Sequence, residues 1–259
     1  MTTTLDTSRA DVSLFRLINV ELRKSVDTLA GRWMLISIAI LTVLVDLISV
    51  IFMNAIHAEL RLSTLLWSQK NVMLPIVAAL AILLATSEWT QRTAMVTFTL
   101  VPERWKTLVA KSLVALILGI SAYLLSLAIG GLLTIAGGHW DLSFVELLPR
   151  FLTWVVFLAQ GLALGFLFLN SAAAIVTFYT IFVLGTFVLS PVLLFASTKS
   201  HVMQVIWPWV DLYRATFLTY HSSGWPSGEL WAQLASATAI WVGIPLAIGA
   251  WRVLHAEVK

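Results

Sequence analysis

Ser87 to Lys111 reads SEWTQRTAMVTFTLVPERWKTLVAK, a short basic amphipathic segment between two long apolar runs. It holds Arg92, Arg104, Lys106 and Lys111, four of the sixteen Lys/Arg residues in the chain. Arg92 to Thr99 is expected to form a short helix. Val101-Pro102 ends it, because the residue before proline is pushed out of the α region. Pro102 suits the first turn of the next helix, and Glu103 suits its dipole. A polar connection of this kind between membrane spans lies in water on the cytoplasmic side.

The flanking runs set the class. The chain has 259 residues, 59% hydrophobic and only 11% charged, with a mean hydropathy of +0.93. Soluble domains carry roughly 25% charged residues. Crossing a bilayer takes about 20 apolar residues as helix. Six such runs can be drawn: Trp33 to Ala55, Val72 to Ser87, Leu108 to Ala136, Phe151 to Leu169, Ala174 to Ser197 and Leu230 to Leu254. The second is short and is interrupted near its start by Pro75. The expected fold is an all-α polytopic membrane protein in a single domain spanning 1–259, with no linker, repeat or low-complexity tract.

Charge sets the orientation. With both termini inside, the inner Lys/Arg residues are Arg9, Arg16, Arg23, Lys24, Arg32, Arg92, Arg104, Lys106, Lys111, Arg252 and Lys259. The outer ones are Arg61, Lys70, Arg150, Lys199 and Arg214. Eleven against five is the positive-inside pattern. Eleven of the twelve tryptophans fall near proposed span ends, and only Trp241 sits deep in a span. The expected location is the cell membrane, multi-pass, with both termini cytoplasmic.

Two other regions have a character of their own. Residues 11–30 read as a basic surface helix, in which Phe15, Ile18, Leu22, Val26 and Leu29 share a stripe roughly 80° wide. Such a helix lies in the membrane interface. The long apolar run begins only at Trp33, which does not fit a signal peptide. Residues 198–229 are too polar to span twice and carry Trp207, Trp209, Tyr213, Phe217, Tyr220 and Trp225. They are expected to pack as short helices into an outer cap, since backbone at membrane depth must be satisfied internally.

Catalytic chemistry is not legible. There is no P-loop, no H-E-x-x-H and no G-x-S-x-G. Cysteine is absent, and the five histidines do not pair at metal-ligand spacing. No metal, no bound cofactor and no nucleic-acid partner is expected; membrane lipid is. Asp46 lies mid-span, where an aspartate costs about 2.5–3.5 kcal/mol on insertion scales. It reads either as a residue of a substrate or proton path or as a hydrogen-bonding contact between helices. Asn54 and Tyr179 are further path candidates, each also readable as helix-packing glue. Gly161-x-x-x-Gly165 permits close helix approach. Glu88 reads as the start of the polar segment or as a boundary residue reaching for water.

Glu88-Trp89-Thr90-Gln91-Arg92-Thr93, then Thr97-Phe98-Thr99-Leu100-Val101-Pro102-Glu103-Arg104 and Leu108-Val109-Ala110-Lys111, resembles the first cytoplasmic loop of ABC-2 type permeases, the membrane subunits of ATP-binding-cassette exporters. Glu21-Leu22-Arg23-Lys24, leading through Arg32-Trp33 into the first span, resembles that family's opening, and the six-span layout matches throughout. The resemblance implies a transport subunit that is not itself an enzyme. It would pair with a second copy or a sister permease, on two copies of an ATP-binding subunit that holds ATP and Mg. Segment 88–107 would couple to that subunit through Glu88, Arg92, Thr93, Met95, Phe98, Leu100, Pro102 and Arg104, with Met95, Phe98 and Leu100 on the inserting face. The exported molecule would be amphipathic: a drug, peptide or lipid. Two other classes stand beside it: a proton-coupled secondary exporter using Asp46, and a membrane-embedded lipid-modifying enzyme.

Overall fold

A computed structural model describes residues 12–222 and 224–255. Arg9 and Lys259, counted in the charge asymmetry, lie outside the described residues, as does Asp11 at the start of the expected interfacial segment. The described chain is built of helices: α1 Leu14–Asp27, α2 Leu29–Ala55, α3 Leu62–Thr90, α4 Ala94–Leu100, α5 Arg104–Gly137, α6 Phe144–Phe168, α7 Ser171–Leu184, α8 Ser190–Ser197, α9 His201–Val210, α10 Leu212–Tyr220, α11 Gly228–Thr238 and α12 Ile244–His255. α7 runs into α8 through a π-helical turn at Gly185–Leu189, and α11 into α12 through another at Ala239–Gly243. Six stretches are long and apolar enough to cross a membrane: Gly31–Ala55, Leu62–Thr90, Arg104–Gly137, Phe144–Phe168, Ser171–Ser197 and Gly228–His255.

The second span differs most from expectation. It starts ten residues before Val72, and Pro75 lies inside the helix rather than at its entry. The early turns look too polar for a span because Gln69 and Lys70 lie there, yet both are buried. Neighbouring helices supply what lipid cannot. Lys70 Nζ sits 4.7 Å from the Trp67 ring centre and 4.5 Å from that of Tyr220 on α10, so two aromatic faces replace water around the ammonium.

α3 and α6 form the centre. Gly161 and Gly165 bring them together: a methyl at Gly161 would meet the Ala78 carbonyl oxygen at 2.3 Å, and one at Gly165 would meet the Ala85 methyl at 2.6 Å. The small-residue spacing therefore does what it permits, letting two backbones touch. Met73, Val77 and Ile82 of α3 pack with Phe157, Leu162 and Phe166 of α6, and Phe178 of α7 completes the core. α2, the α7–α8 span and the α11–α12 span lie outside this pair and leave most of their apolar surface uncovered.

α1 turns sharply into α2. Thr28 is extended; its N–H donates to the Lys24 carbonyl and its hydroxyl accepts from Gly31 N at 3.2 Å. A side chain at 31 would collide with the Ser25 carbonyl, so this elbow needs glycine. The apolar stripe of α1 is divided. Ile18 and Leu22 pack on Leu80, Val114 and Leu118 of the chain's own spans, while Phe15 and Leu29 are exposed.

At the end of the bundle remote from α4, residues 198–229 fold as α9, α10 and the start of α11. Asp211 organises them. It accepts from Tyr213 N and Arg214 N, both at 3.0 Å, and from the Ser190 hydroxyl at 2.7 Å. One carboxylate thus caps α10 and fastens it to α8.

Candidate functional site

The polar segment that links α3 and α5 is an ordered structure. α3 ends at Thr90. Arg92 then takes a left-handed conformation, with φ of 56°, reversing the chain. Thr93 N donates back to the Glu88 carbonyl at 2.8 Å, and α4 follows as seven residues. Val101 leaves the helix and Pro102 is exposed, with α5 starting two residues later at Arg104. The expected short helix is present, two residues shorter at its start and one residue longer at its end.

The faces of α4 are arranged differently from the expected inserting face. Phe98 turns inward. It is only 8% exposed, its ring centre lies 6.0 Å from that of Trp89, and the Arg104 guanidinium stands 4.9 Å from it. Ala94, one turn earlier, is buried with it. Met95, Val96 and Leu100 are left uncovered, 53%, 60% and 70% exposed, with Val96 and Leu100 bordering a cavity beside α1. Phe98 therefore anchors α4 to the chain's own spans, and the free apolar face consists of Met95, Val96 and Leu100.

Both ends of the segment are fastened. Glu88 is 2% exposed and its carboxylate lies 2.8 Å from Lys111 Nζ on α5. Lys111, itself 1% exposed, also meets Glu21 of α1 at 2.9 Å and donates to the Ser87 hydroxyl at 2.7 Å and the Leu84 carbonyl at 2.9 Å. Lys24 closes the cluster, 2.6 Å from Glu21 and 3.6 Å from Glu88. Two acids and two bases balance, the condition under which buried ions are tolerated. Burial pushes the Glu21 carboxyl up, but Lys111 and Lys24 more than offset this and hold it below the usual carboxylate range. Burial pushes Lys24 down, and Glu21 with Glu88 reverses that and raises it above the usual lysine value. At the other end, Arg104 donates to the Val253 and Leu254 carbonyls at 3.2 and 3.4 Å, a cation on the C-terminal turn of α12. Glu88 and Arg104 thus bind the segment to the chain's own spans, while Arg92 and Thr93 shape its entry.

The cluster needs Glu21, Lys24 and Lys111, which sequence reasoning did not place together. Lys24 follows Glu21 by three residues, a local signal, but Lys111 lies ninety residues away and only the packing of α1 on α5 joins them.

The path candidates do not converge. Asp46 is fully buried, and both carboxylate oxygens accept from Gln69 Nε2 of α3, at 2.8 and 2.7 Å. The same amide nitrogen reaches the Ser126 carbonyl of α5 at 3.3 Å. Asp46 thereby joins three helices. Asn54 is exposed in the last turn of α2, about 12 Å further along. Tyr179 is on α7, with its hydroxyl 3.5 Å from the Pro75 carbonyl. Asp46→Leu is expected to destabilise the fold by ~1–3 kcal/mol by stranding the Gln69 amide, and Asp46→Asn by less. Thermal unfolding of the purified chain checks the order; equal midpoints for Asp46→Leu and the parent would remove the packing role.

Among the described residues, no group of three or more His, Asp or Glu is placed to hold a metal ion. No protein-family model matches this chain, and no curated protein matches it.

Proposed function

We propose that this chain is the permease subunit of an ATP-driven exporter of the ABC-2 type, working with a second permease and two copies of a separate ATP-binding subunit. One observation carries the reading. A seven-residue helix is held out from the end of a six-span bundle, apolar on its free face, and is rigidly fastened at both ends to helices that span. A loop that merely connected two spans would need none of this. A push on α4 would pass through Phe98 and Arg104 to α12, and through Glu88 and Lys111 to α3, α5 and α1. Packed elements shift as units rather than deform. ATP and Mg would act in the partner, and the substrate would be amphipathic. The Asp46–Gln69 bond supports a packing role for Asp46 and gives the proton-coupled alternative no further support.

Affinity purification in mild detergent tests the reading: an ATPase carrying a P-loop should co-purify, and ATP hydrolysis by the reconstituted complex should respond to amphipathic compounds. Recovery of the chain without any ATPase would count against it. The orientation has its own test. Cysteines placed at Ala58 and Lys199, both exposed, should react with an impermeant thiol reagent in whole cells, while one at Gln91 should not. The reverse pattern would place α4 outside and end the proposal.

A further inference from the structure

Beside the ion cluster lies a cavity of about 590 Å³, within the range that holds a drug-sized molecule. It lies between α1 and the spans, and its walls are apolar: Val20 of α1, Met34 of α2, Leu83 of α3 and Val96 of α4 all face it. Val20, Leu83 and Val96 are partly uncovered, which leaves a lateral mouth level with the interfacial helix. Lys24, Glu88 and Thr107 also border it.

Two of those groups are unfinished. Glu88 and Thr107 are more than nine-tenths buried. Glu88 Oε2 meets Lys111 at 2.8 Å, but its Oε1 takes no hydrogen bond and the Thr107 hydroxyl has no partner. Buried acceptors are normally satisfied, so acceptors left open beside a cavity point to an occupant that donates. Lys24 guards Glu88 only loosely. It is the one half-exposed member of the cluster, with 48% of its side chain accessible, and it stands 3.6 Å from Glu88 against 2.6 Å from Glu21.

We propose that this cavity binds an amphiphile with an apolar chain and a primary ammonium head. The chain lies along the walls, and the ammonium takes the position of Lys24 beside Glu88, donating to its carboxylate and to the Thr107 hydroxyl. Lys24 keeps its shorter bond to Glu21. The cluster's own charges balance, so selection comes from the open Glu88 Oε1, which gains a charge-assisted bond from an ammonium and repels an anionic group placed against it. A phospholipid with an ethanolamine head and a free alkylamine share this chemistry. The site rests on the membrane reading alone and needs no ATPase, so its test is independent of the proposed coupling.

The test places the purified full chain in nanodiscs with a trace of phosphatidylethanolamine carrying a photoactivatable acyl chain, and compares phosphatidylglycerol with the same chain. Adducts should map to Leu83 and Val96 and form about tenfold more from the ethanolamine lipid, the ratio expected for one charge-assisted hydrogen bond. Thr97→Trp, which fills the cavity from a half-buried position on α4, should reduce them by a similar factor with no change in melting temperature. Glu88→Gln, nearly equal in shape, should remove the preference between the two lipids. If Glu88→Gln unfolds the chain, the tryptophan variant still decides. Added dodecylamine that competes away the adduct identifies a general amine site; failure to compete identifies a lipid site. Equal labelling by the two lipids, a preference for the glycerol lipid, or adducts indifferent to Thr97→Trp would overturn the proposal.

Discussion

Lys111→Met should destabilise the folded chain by roughly 3–5 kcal/mol, the cost of removing one partner from a buried ion pair. Methionine fills much of the same volume, so the loss is electrostatic. Lys111 meets both Glu21 and Glu88 and is almost wholly enclosed. Without it, two buried carboxylates share the half-exposed Lys24. Thermal unfolding in mild detergent measures the effect. The double variant Lys111→Met with Glu88→Leu sharpens it. Glu21 then keeps Lys24 at 2.6 Å, the cluster is again balanced, and part of the loss should return. Such recovery is the mark of residues coupled in one network. A single variant within about 0.5 kcal/mol of the parent, the range of an unremarkable surface change, would show that the cluster does not hold α1, α3 and α5 together.

The existence of this cluster marks the limit of what the chain's letters disclose. Six spans were legible because twenty-residue apolar runs have few alternatives. The start of the second was not. Gln69 and Lys70 read as water-facing; the Trp67 ring is a neighbour of Lys70 on the same helix, but only the tertiary arrangement provides Asp46 for Gln69 and the Tyr220 ring for Lys70. Pro75 read as an interruption, whereas packing against neighbours lets a spanning helix carry it. Gly161 and Gly165 signalled close approach but not the identity of the partner helix. α4 shows the same limit at smaller scale. AMVTFTL is apolar around much of its circumference, so hydrophobicity alone gave it no inside, and the packing of Phe98 on Trp89 decides which face remains free. Glu88 was legible as special. Its role was not, because Lys111 and Glu21 reach it only in the folded chain.

Met95→Glu should weaken association with the proposed ATP-binding subunit by tenfold or more, and the proposed export should fall with it. Met95 is half exposed on the outer face of α4, so a charge there meets water in the isolated chain and leaves the fold intact. In a docked complex the same charge would be buried against apolar surface without a partner. Central apolar anchors commonly contribute about 2 kcal/mol or more to an interface, more than a factor of ten in affinity. Met95 is the better probe than Leu100, which also borders the 590 Å³ cavity: a defect at Leu100 would mix two causes. Phe98→Ala is the internal control, and its outcome differs in kind. Phe98 is packed within the chain, so its truncation should cost about 3 kcal/mol of the chain's own stability and loosen α4 before any partner is present. Melting temperature separates the two variants, unchanged for Met95→Glu and lowered for Phe98→Ala. Co-purification and substrate-stimulated ATP hydrolysis in the reconstituted complex measure the coupling. Normal assembly and normal stimulation with Met95→Glu would mean that the exposed face of α4 receives no partner, and the exporter reading would lose the observation on which it stands.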